Sequence, residues 1–402
     1  MPRHMDVPTF KLSAIQVLGV SCFGLVIGAG LRRALPILER LSIPAPVLGG
    51  LVYAFLALIL RDRVVNLEFD LVLRDVLMIA FFTTVGMSAS LRLLKLGGKR
   101  VAIFLGASVL GLVLQIVLGM TAAGALGLPP LFGVVTGAVS LTGGPATSLA
   151  FGPVFEQAGV HGATAVGLAS AVFGIVVSGL LGGYVGSFLI RRHGLRPEAS
   201  EQVAAPAIDL DAAPGEKHGT YVENIIAIGI AMALGSVVSA KFQDWGLTLP
   251  AYIGAMIVAG VVRNLDDAFQ FLGIEQKRMD EIGEVTLDLF IVMALLTLQL
   301  WHLATLALPV LLILSMQVVL TVGLCWTAIY WVMGRTYTSA VMAGGYCGFM
   351  LGTTANALAC MNEIVRKSGP APQAFFVVSI VGAFLIDFIN ALLITQALNF
   401  FH

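Results

Sequence analysis

Two stretches set glycine among small hydroxyl and amide residues inside otherwise apolar sequence: Thr142-Gly143-Gly144-Pro145-Ala146-Thr147-Ser148 and Leu351-Gly352-Thr353-Thr354-Ala355-Asn356. Glycine lets a ligand approach the backbone, and free N–H groups at helix ends attract anions. Thr142, Gly143, Gly144, Thr147, Ser148, Gly352, Thr353, Thr354 and Asn356 are therefore the candidate contacts for a small anionic substrate. Asp387 lies within the apolar run Gly382-Ala383-Phe384-Leu385-Ile386-Asp387-Phe388-Ile389-Asn390. A carboxylate in such a run is a functional hypothesis by default, because burying it unpaired is expensive. With Asn390 one turn away on the same helical face, it can coordinate Na+ through oxygen or receive a substrate ammonium. A hydrogen-bonded structural carboxyl is the competing reading. Gln115 and Gln317 each offer a carbonyl acceptor and an amide donor in apolar surroundings, for an ion, for a solute or for tying helices together. Thr84 and Ser140 are weaker ion contacts of the same sort, and Asp288 divides evenly between a role and snorkelling to water.

The elements that position these residues follow from composition. Of 402 residues, 58% are hydrophobic and 11% charged, against roughly 25% charged in a soluble domain, which excludes a water-soluble enzyme. Twenty-three basic residues balance twenty-three acidic ones, so no basic field exists to attract nucleic acid. The four cysteines lack C-x-x-C spacing and read as small buried hydrophobes. Leu12 to Leu31, Leu41 to Leu60, Val101 to Phe155 and Leu289 to Gly334 contain no charge, and a bilayer core needs about 20 apolar residues per helical crossing. The fold class is thus an all-α integral membrane protein. Ten crossings are expected near 12–33, 44–60, 76–95, 100–126, 162–190, 222–243, 249–265, 283–303, 307–334 and 374–398. The segments 131–155 and 338–361, broken by glycine and polar residues, read as re-entrant. Cytoplasmic loops are enriched in Lys and Arg; this topology puts seventeen basic residues on one side and six on the other. Both termini should then face outside and a charged, proline-rich linker, 191–221, the cytoplasm. His161 and His302 fall near the outer surface as ordinary exposed histidines. Gly24, Gly28 and Gly30, like Ser178, Gly182 and Gly186, read as helix packing.

The linker separates halves that echo each other, 1–190 and 222–402. Asp75-Val76-x-Met78-x-x-Phe81 recurs as Glu284-Val285-x-Leu287-x-x-Phe290, Leu114-Gln115-x-Val117-Leu118 as Met316-Gln317-x-Val319-Leu320, and Pro46 with Gly50 as Pro250 with Gly254. Five crossings per half require the second copy to be inverted, with the two re-entrant segments pointing at each other. Paired broken elements of this kind are the best sequence pointer to a transporter's binding site. No Lys or Arg falls in the central part of any expected crossing, so backbone dipoles and hydroxyls would hold an anion there.

The chain resembles the bacterial sodium/glutamate symporter family over nearly its whole length, in Asp75 to Gly86, Gln115, Gly143-Gly144, Phe173-Gly174 with Gly182-Gly183, Cys347-Gly348-Phe349 and Gly382-Ala383-Phe384-x-Ile386-Asp387-x-x-Asn390-Ala391-Leu392. The resemblance implies Na+-coupled glutamate uptake across the inner membrane by alternating access of the elevator kind. It also implies two inverted five-helix repeats and a homodimer, with Na+ as coupling ion and no cofactor. Where the family reads Gly-Gly-His-Gly-Thr, this chain has Gly143-Gly144-Pro145-Ala146-Thr147; Tyr346 stands where the family has histidine before Cys-Gly-Phe, and Met350 and Ala355 replace a glycine and a proline. Both loops have lost a histidine, which leaves a second reading: the same carrier, taking a non-amino organic anion such as a dicarboxylate, or coupled to H+. A channel and an intramembrane enzyme are the readings from other classes. H-E-x-x-H, G-x-S-x-G and P-loop motifs are all absent from the chain.

Overall fold

The computed structural model describes residues 8–41, 43–60, 65–197, 220–245, 250–298 and 303–401. Most of the expected linker, with Arg3, Arg61, Arg63 and His302, lies outside the described residues.

The described chain is helical apart from one short pair of strands. In the first half, α1 (Ala14–Ala34), α2 (Ala45–Leu60), α3 (Val72–Met87) and α4 (Leu91–Ala125) precede a broken element. That element is α5 (Pro130–Val134), continued as a π-helical stretch Val135–Thr142, followed by α6 (Gly144–Gln157). The long α7 (Ala163–His193) closes the half. The second half has the same order: α8 (Tyr221–Asp244), α9 (Ala251–Phe269), α10 (Gln276–Leu295), α11 (Leu303–Leu324), the broken pair α12 (Tyr337–Leu351) and α13 (Thr354–Ser368), then α14 (Pro372–Ile380) running through Val381–Leu385 into α15 (Ile386–Phe401). Both halves open on the same local signal. Gln16 Oε1 accepts the Ser13 N–H at 2.9 Å ahead of α1, and Glu223 Oε2 accepts the Thr220 N–H at 2.7 Å ahead of α8, the reach-back of a capping box.

Packing between the halves is reciprocal: α3 lies on α9 as α10 lies on α2, α8 touches α3 as α1 touches α10, and α3–α10 and α4–α11 pair counterpart with counterpart. Small residues let backbones close up at these seams. A β-carbon on Gly86 would lie 2.2 Å from the Met256 carbonyl oxygen, and one on Gly50 2.4 Å from Leu295 Cδ1.

Among the described residues, five helical stretches are long and apolar enough to cross a bilayer: Ala14–Ala34, Gly97–Ala125, Ala163–His193, Tyr221–Asp244 and Leu306–Val332. With the shorter apolar helices Ala45–Leu60 and Ile386–Phe401, they make a multi-pass membrane protein. The expected crossing at 76–95 is displaced, since α3 runs from Val72 to Met87 and α4 starts at Leu91. Asn264 causes the break: its Nδ2 donates to Ala89 O and its Oδ1 accepts from Leu91 N, each at 2.8 Å. Next to it on α9, buried Arg263 pairs with Asp267 at 3.1 Å. Arg92 and Lys95 therefore belong to the start of α4, ahead of a kink at Gly98 (φ 60°, ψ −154°). Absent from the sequence expectation are the parallel strands Thr9–Leu12 and Asn66–Phe69, in register from Thr9 opposite Asn66 to Leu12 opposite Phe69.

Candidate functional site: two hairpin tips on one helix

The two broken elements are helical hairpins, and α7 carries both. A β-carbon on Gly152 would strike Thr164, while one on Gly167 would lie between Ser148 and Val135. So α6 runs antiparallel to α7 while the Val135–Thr142 arm runs parallel to it, which folds the first element back on itself. In the second hairpin Gly348 abuts Ala357 and Gly344 abuts Ile364. Its base lies against Gly186 and its tip against Gly174, where a β-carbon would come within 2.1 Å of the Leu351 carbonyl oxygen and 2.7 Å of Leu141 Cδ2. The hairpins thus approach from opposite ends of α7 and their tips meet at Gly174.

The breaks fall at the glycine motifs. Gly144 has φ +68°, a left-handed conformation natural to glycine, and a β-carbon there would sit 3.5 Å from Thr353 Cγ2 of the other tip. Across the junction, Gln115 holds both tips from α4. Its Nε2 donates to Met350 O at 2.9 Å and its Oε1 accepts from Thr142 Oγ1 at 2.8 Å. Gln115 is fully buried, and both ends of its amide tie the hairpin tips to α4. Gln115→Leu should leave the Thr142 hydroxyl and the Met350 carbonyl short of a partner, at about 1–3 kcal/mol. A fall in melting temperature of the detergent-solubilised protein, with unchanged membrane insertion, is the expected readout; a wild-type melting temperature would dismiss the tie.

A cavity of about 590 Å³ opens beneath the tips, lined by Thr142, Gly143, Thr353, Thr354, Asn356 and Asp387 among others. Asp387 is partly buried at its wall, and among the described residues no donor or cation pairs with its carboxylate. Asn356 is held in place: Nδ2 donates to Ile175 O at 2.9 Å and Ser178 Oγ at 3.0 Å, while Oδ1 accepts from Thr353 Oγ1 at 2.9 Å. Thr354 Oγ1 donates to Gly382 O, tying the second tip to the stretch before Asp387. Thr84, its hydroxyl bonded to Phe81 O at 2.7 Å, also lines the cavity.

The remaining sequence candidates lie outside that lining. Ser148 is buried and its hydroxyl donates to Gly144 O at 2.9 Å, one turn back on α6. Thr147 packs against Gly143, and Gly352 faces Ser178 on α7. Ser140 donates to Val135 O. Gln317 Nε2 donates to Gln115 O at 2.8 Å and Asn390 Nδ2 to Ala138 O at 2.9 Å, both behind the first hairpin. Serine and threonine hydroxyls in a helix are satisfied by the carbonyl one turn before, which composition does not reveal.

Of the polar mouth of the cavity, sequence reasoning singled out Asp288 alone. Asp280, Glu284 and Asp288, four residues apart along α10, line one side with Ser88, and Arg32 at the end of α1 lines it too. The i, i+4, i+8 spacing of the three carboxylates was the available signal. Of the charged lining residues, four are acidic and only Arg32 is basic.

Comparison with known proteins bears on this arrangement. Residues 10–370 match the family model described as sodium/glutamate symporter. The sodium/glutamate symporter of Escherichia coli K12 is 36% identical over 96% of this chain and 97% of its own. That of Haemophilus influenzae is 34% identical over the same shares. A solved sodium/proton antiporter from Methanocaldococcus jannaschii aligns over 96% of this chain and 98% of its own at 16% identity and a TM-score of 0.42, too loose a likeness to inform the site. By the family match and the two relatives, this chain belongs to the sodium/glutamate symporter family.

Proposed function

We propose that the protein is a secondary active carrier that takes up glutamate, or a closely related acidic amino acid, together with Na+ across the bacterial inner membrane by alternating access. It acts as a transporter rather than an enzyme and needs no cofactor. The observation that carries this reading is the cavity where both hairpin tips meet Asp387. Free backbone N–H groups at the helix starts of the two tips are suited to substrate carboxylates and Asp387 to its ammonium; the Thr142, Thr353 and Thr354 hydroxyls already donate to Gln115, Asn356 and Gly382. Asp387, a carboxylate in the wall beside the tips with no donor or cation paired to it among the described residues, favours an amino acid over a simple dicarboxylate, which has no positive group to offer it.

Electrostatics supports cation coupling. Four carboxylates face one guanidinium around the cavity, so an anionic solute meets a repulsive field that co-bound cations offset. Na+ is the coupling ion on this reading, with Thr84 and Asp387 as oxygen donors at the cavity. The two halves are taken as inverted repeats, 1–190 and 222–402, with re-entrant segments 131–155 and 338–361 joined by a cytoplasmic linker 191–221. Both termini face outside, and two copies form a homodimer. The reciprocal packing of the halves and the hairpins' approach from opposite ends of α7 support the inversion.

The test is uptake of labelled glutamate into proteoliposomes with an inward Na+ gradient. Uphill accumulation, lost when choline replaces Na+ and competed by aspartate, is expected. Accumulation driven equally by a proton gradient without Na+ would sink the sodium assignment, and competition by dicarboxylates but by no amino acid would remove Asp387 as ammonium partner.

A further inference from the structure

Behind the first hairpin lies a second polar site, away from the cavity lining. Its centre is the Val135–Thr142 arm, which is π-helical and leaves helical geometry at Gly137 (φ −109°, ψ −108°). Such irregular stretches cluster at functional positions, and unwound backbone in transporters supplies carbonyl oxygens to coupling ions. α4, α7, α11 and α15 all pack around this arm.

Two buried amides meet it at adjacent residues. Asn390, 1% exposed, donates through Nδ2 to Ala138 O at 2.9 Å. Gln317, fully buried, donates through Nε2 to Gln115 O at 2.8 Å, and its Nε2 would lie 2.9 Å from a β-carbon on Gly137. The carbonyl oxygens of both side chains, Asn390 Oδ1 and Gln317 Oε1, have no hydrogen-bond partner among the described residues. Flipping either amide would not cure this, because each nitrogen faces a carbonyl oxygen that only accepts; the orientation is forced. Ser170 Oγ, on the stretch of α7 that faces the arm, is likewise buried without a partner. Buried oxygens without donors are uncommon in native proteins and call for an explanation such as an ion.

We propose that the kinked Val135–Thr142 arm carries a cation site separate from the substrate cavity, with Asn390 Oδ1 and Gln317 Oε1 as its side-chain ligands. The donor set is neutral oxygen, which suits a small hard monovalent cation; divalent sites recruit carboxylates. Its identity as Na+ rests on the symport reading above. On α15, Asp387 lines the cavity and Asn390 follows one turn on along the same helical face. An ion bound there would brace the arm whose tip, Thr142, contacts the substrate cavity.

The experiment uses the full-length protein and two readouts. The first is the rise in melting temperature on adding NaCl, against choline chloride, in the absence of glutamate. The second is the Na+ concentration giving half-maximal glutamate uptake in proteoliposomes. Asn390→Ala and the near-isosteric Gln317→Met should each raise the half-saturating Na+ concentration at least tenfold in both assays, with glutamate KM at saturating Na+ within twofold of wild type. Asn390→Asp, which keeps the size and adds a charge, should lower it, and keeps the test decisive if the alanine variant fails to fold. Wild-type Na+ dependence in Gln317→Met and Asn390→Asp, or no Na+-specific thermal shift in the wild-type protein, would overturn the site. Uptake indifferent to Na+ would instead overturn the symport reading, and the thermal shift would still report on the site.

Discussion

Asp387→Asn is expected to weaken gradient-driven uptake at least about 30-fold below saturation while the protein still inserts and folds. The substitution keeps the volume and one carbonyl oxygen but removes the charge at the cavity wall. Asp387 has no hydrogen-bond or ion-pair partner among the described residues, so nothing in the fold relies on that charge, and the loss falls on whatever the cavity binds. Removing one member of a desolvated charge pair costs about 2–5 kcal/mol, which is about 30-fold or more in affinity at 1.4 kcal/mol per tenfold. Two measurements divide the possible roles. If Asp387 receives the substrate ammonium, Asn raises the glutamate KM and leaves the Na+ half-saturation near wild type. If it holds an ion, the Na+ half-saturation rises first and the cooperativity of uptake with Na+ falls. Wild-type values for both would remove Asp387 from the site.

Much of the architecture was legible because a membrane chain announces its elements through charge. The first and last residues of α1, α7 and α8 fall close to the expected crossings since their ends carry Arg32, Arg33, Arg191, Arg192 and the Thr220–Glu223 cap. The breaks at Gly143–Gly144 and Gly352–Thr353 could be located because glycine there is clustered with several small polar residues, a combination that interrupts an otherwise apolar helix. What the sequence hid is tertiary. Gln115 and Gln317 stand at equivalent positions in the two halves, yet one joins the hairpin tips while the other keeps a bare buried oxygen. Thr147 and Ser148 share a motif with Thr142, but the helical rotation of α6 turns them from the cavity. Arg32 ends α1, and only the folding of α1 beside α10 brings it to the mouth.

Gly174→Ala is expected to be nearly as damaging as the loss of Asp387, although glycine 174 touches no solute. Gly174 is the point where α7 receives both tips, and a single methyl there would lie 2.1 Å from Leu351 O and 2.7 Å from Leu141 Cδ2. The first neighbour is backbone, so it cannot rotate aside; the second hairpin must move by an ångström or more, or α7 must bend. Overpacking a tight core costs about 1–3 kcal/mol, and a shift of about 1 Å in a binding constellation costs about a hundredfold in rate. The greater damage is thus to geometry. Gly179→Ala on the same helix is the internal control: its β-carbon would meet Asn356 Nδ2 at 3.8 Å, an ordinary contact. Alanine in mid-helix gains roughly 0.5–1 kcal/mol over glycine, so this variant should be as stable as wild type or slightly more so, and should transport. The pair separates close approach of the tips from the general effect of alanine in α7. Equal uptake by Gly174→Ala and Gly179→Ala would mean that the tips do not need their present distance from α7, and that the cavity between them tolerates a looser junction than its contacts imply.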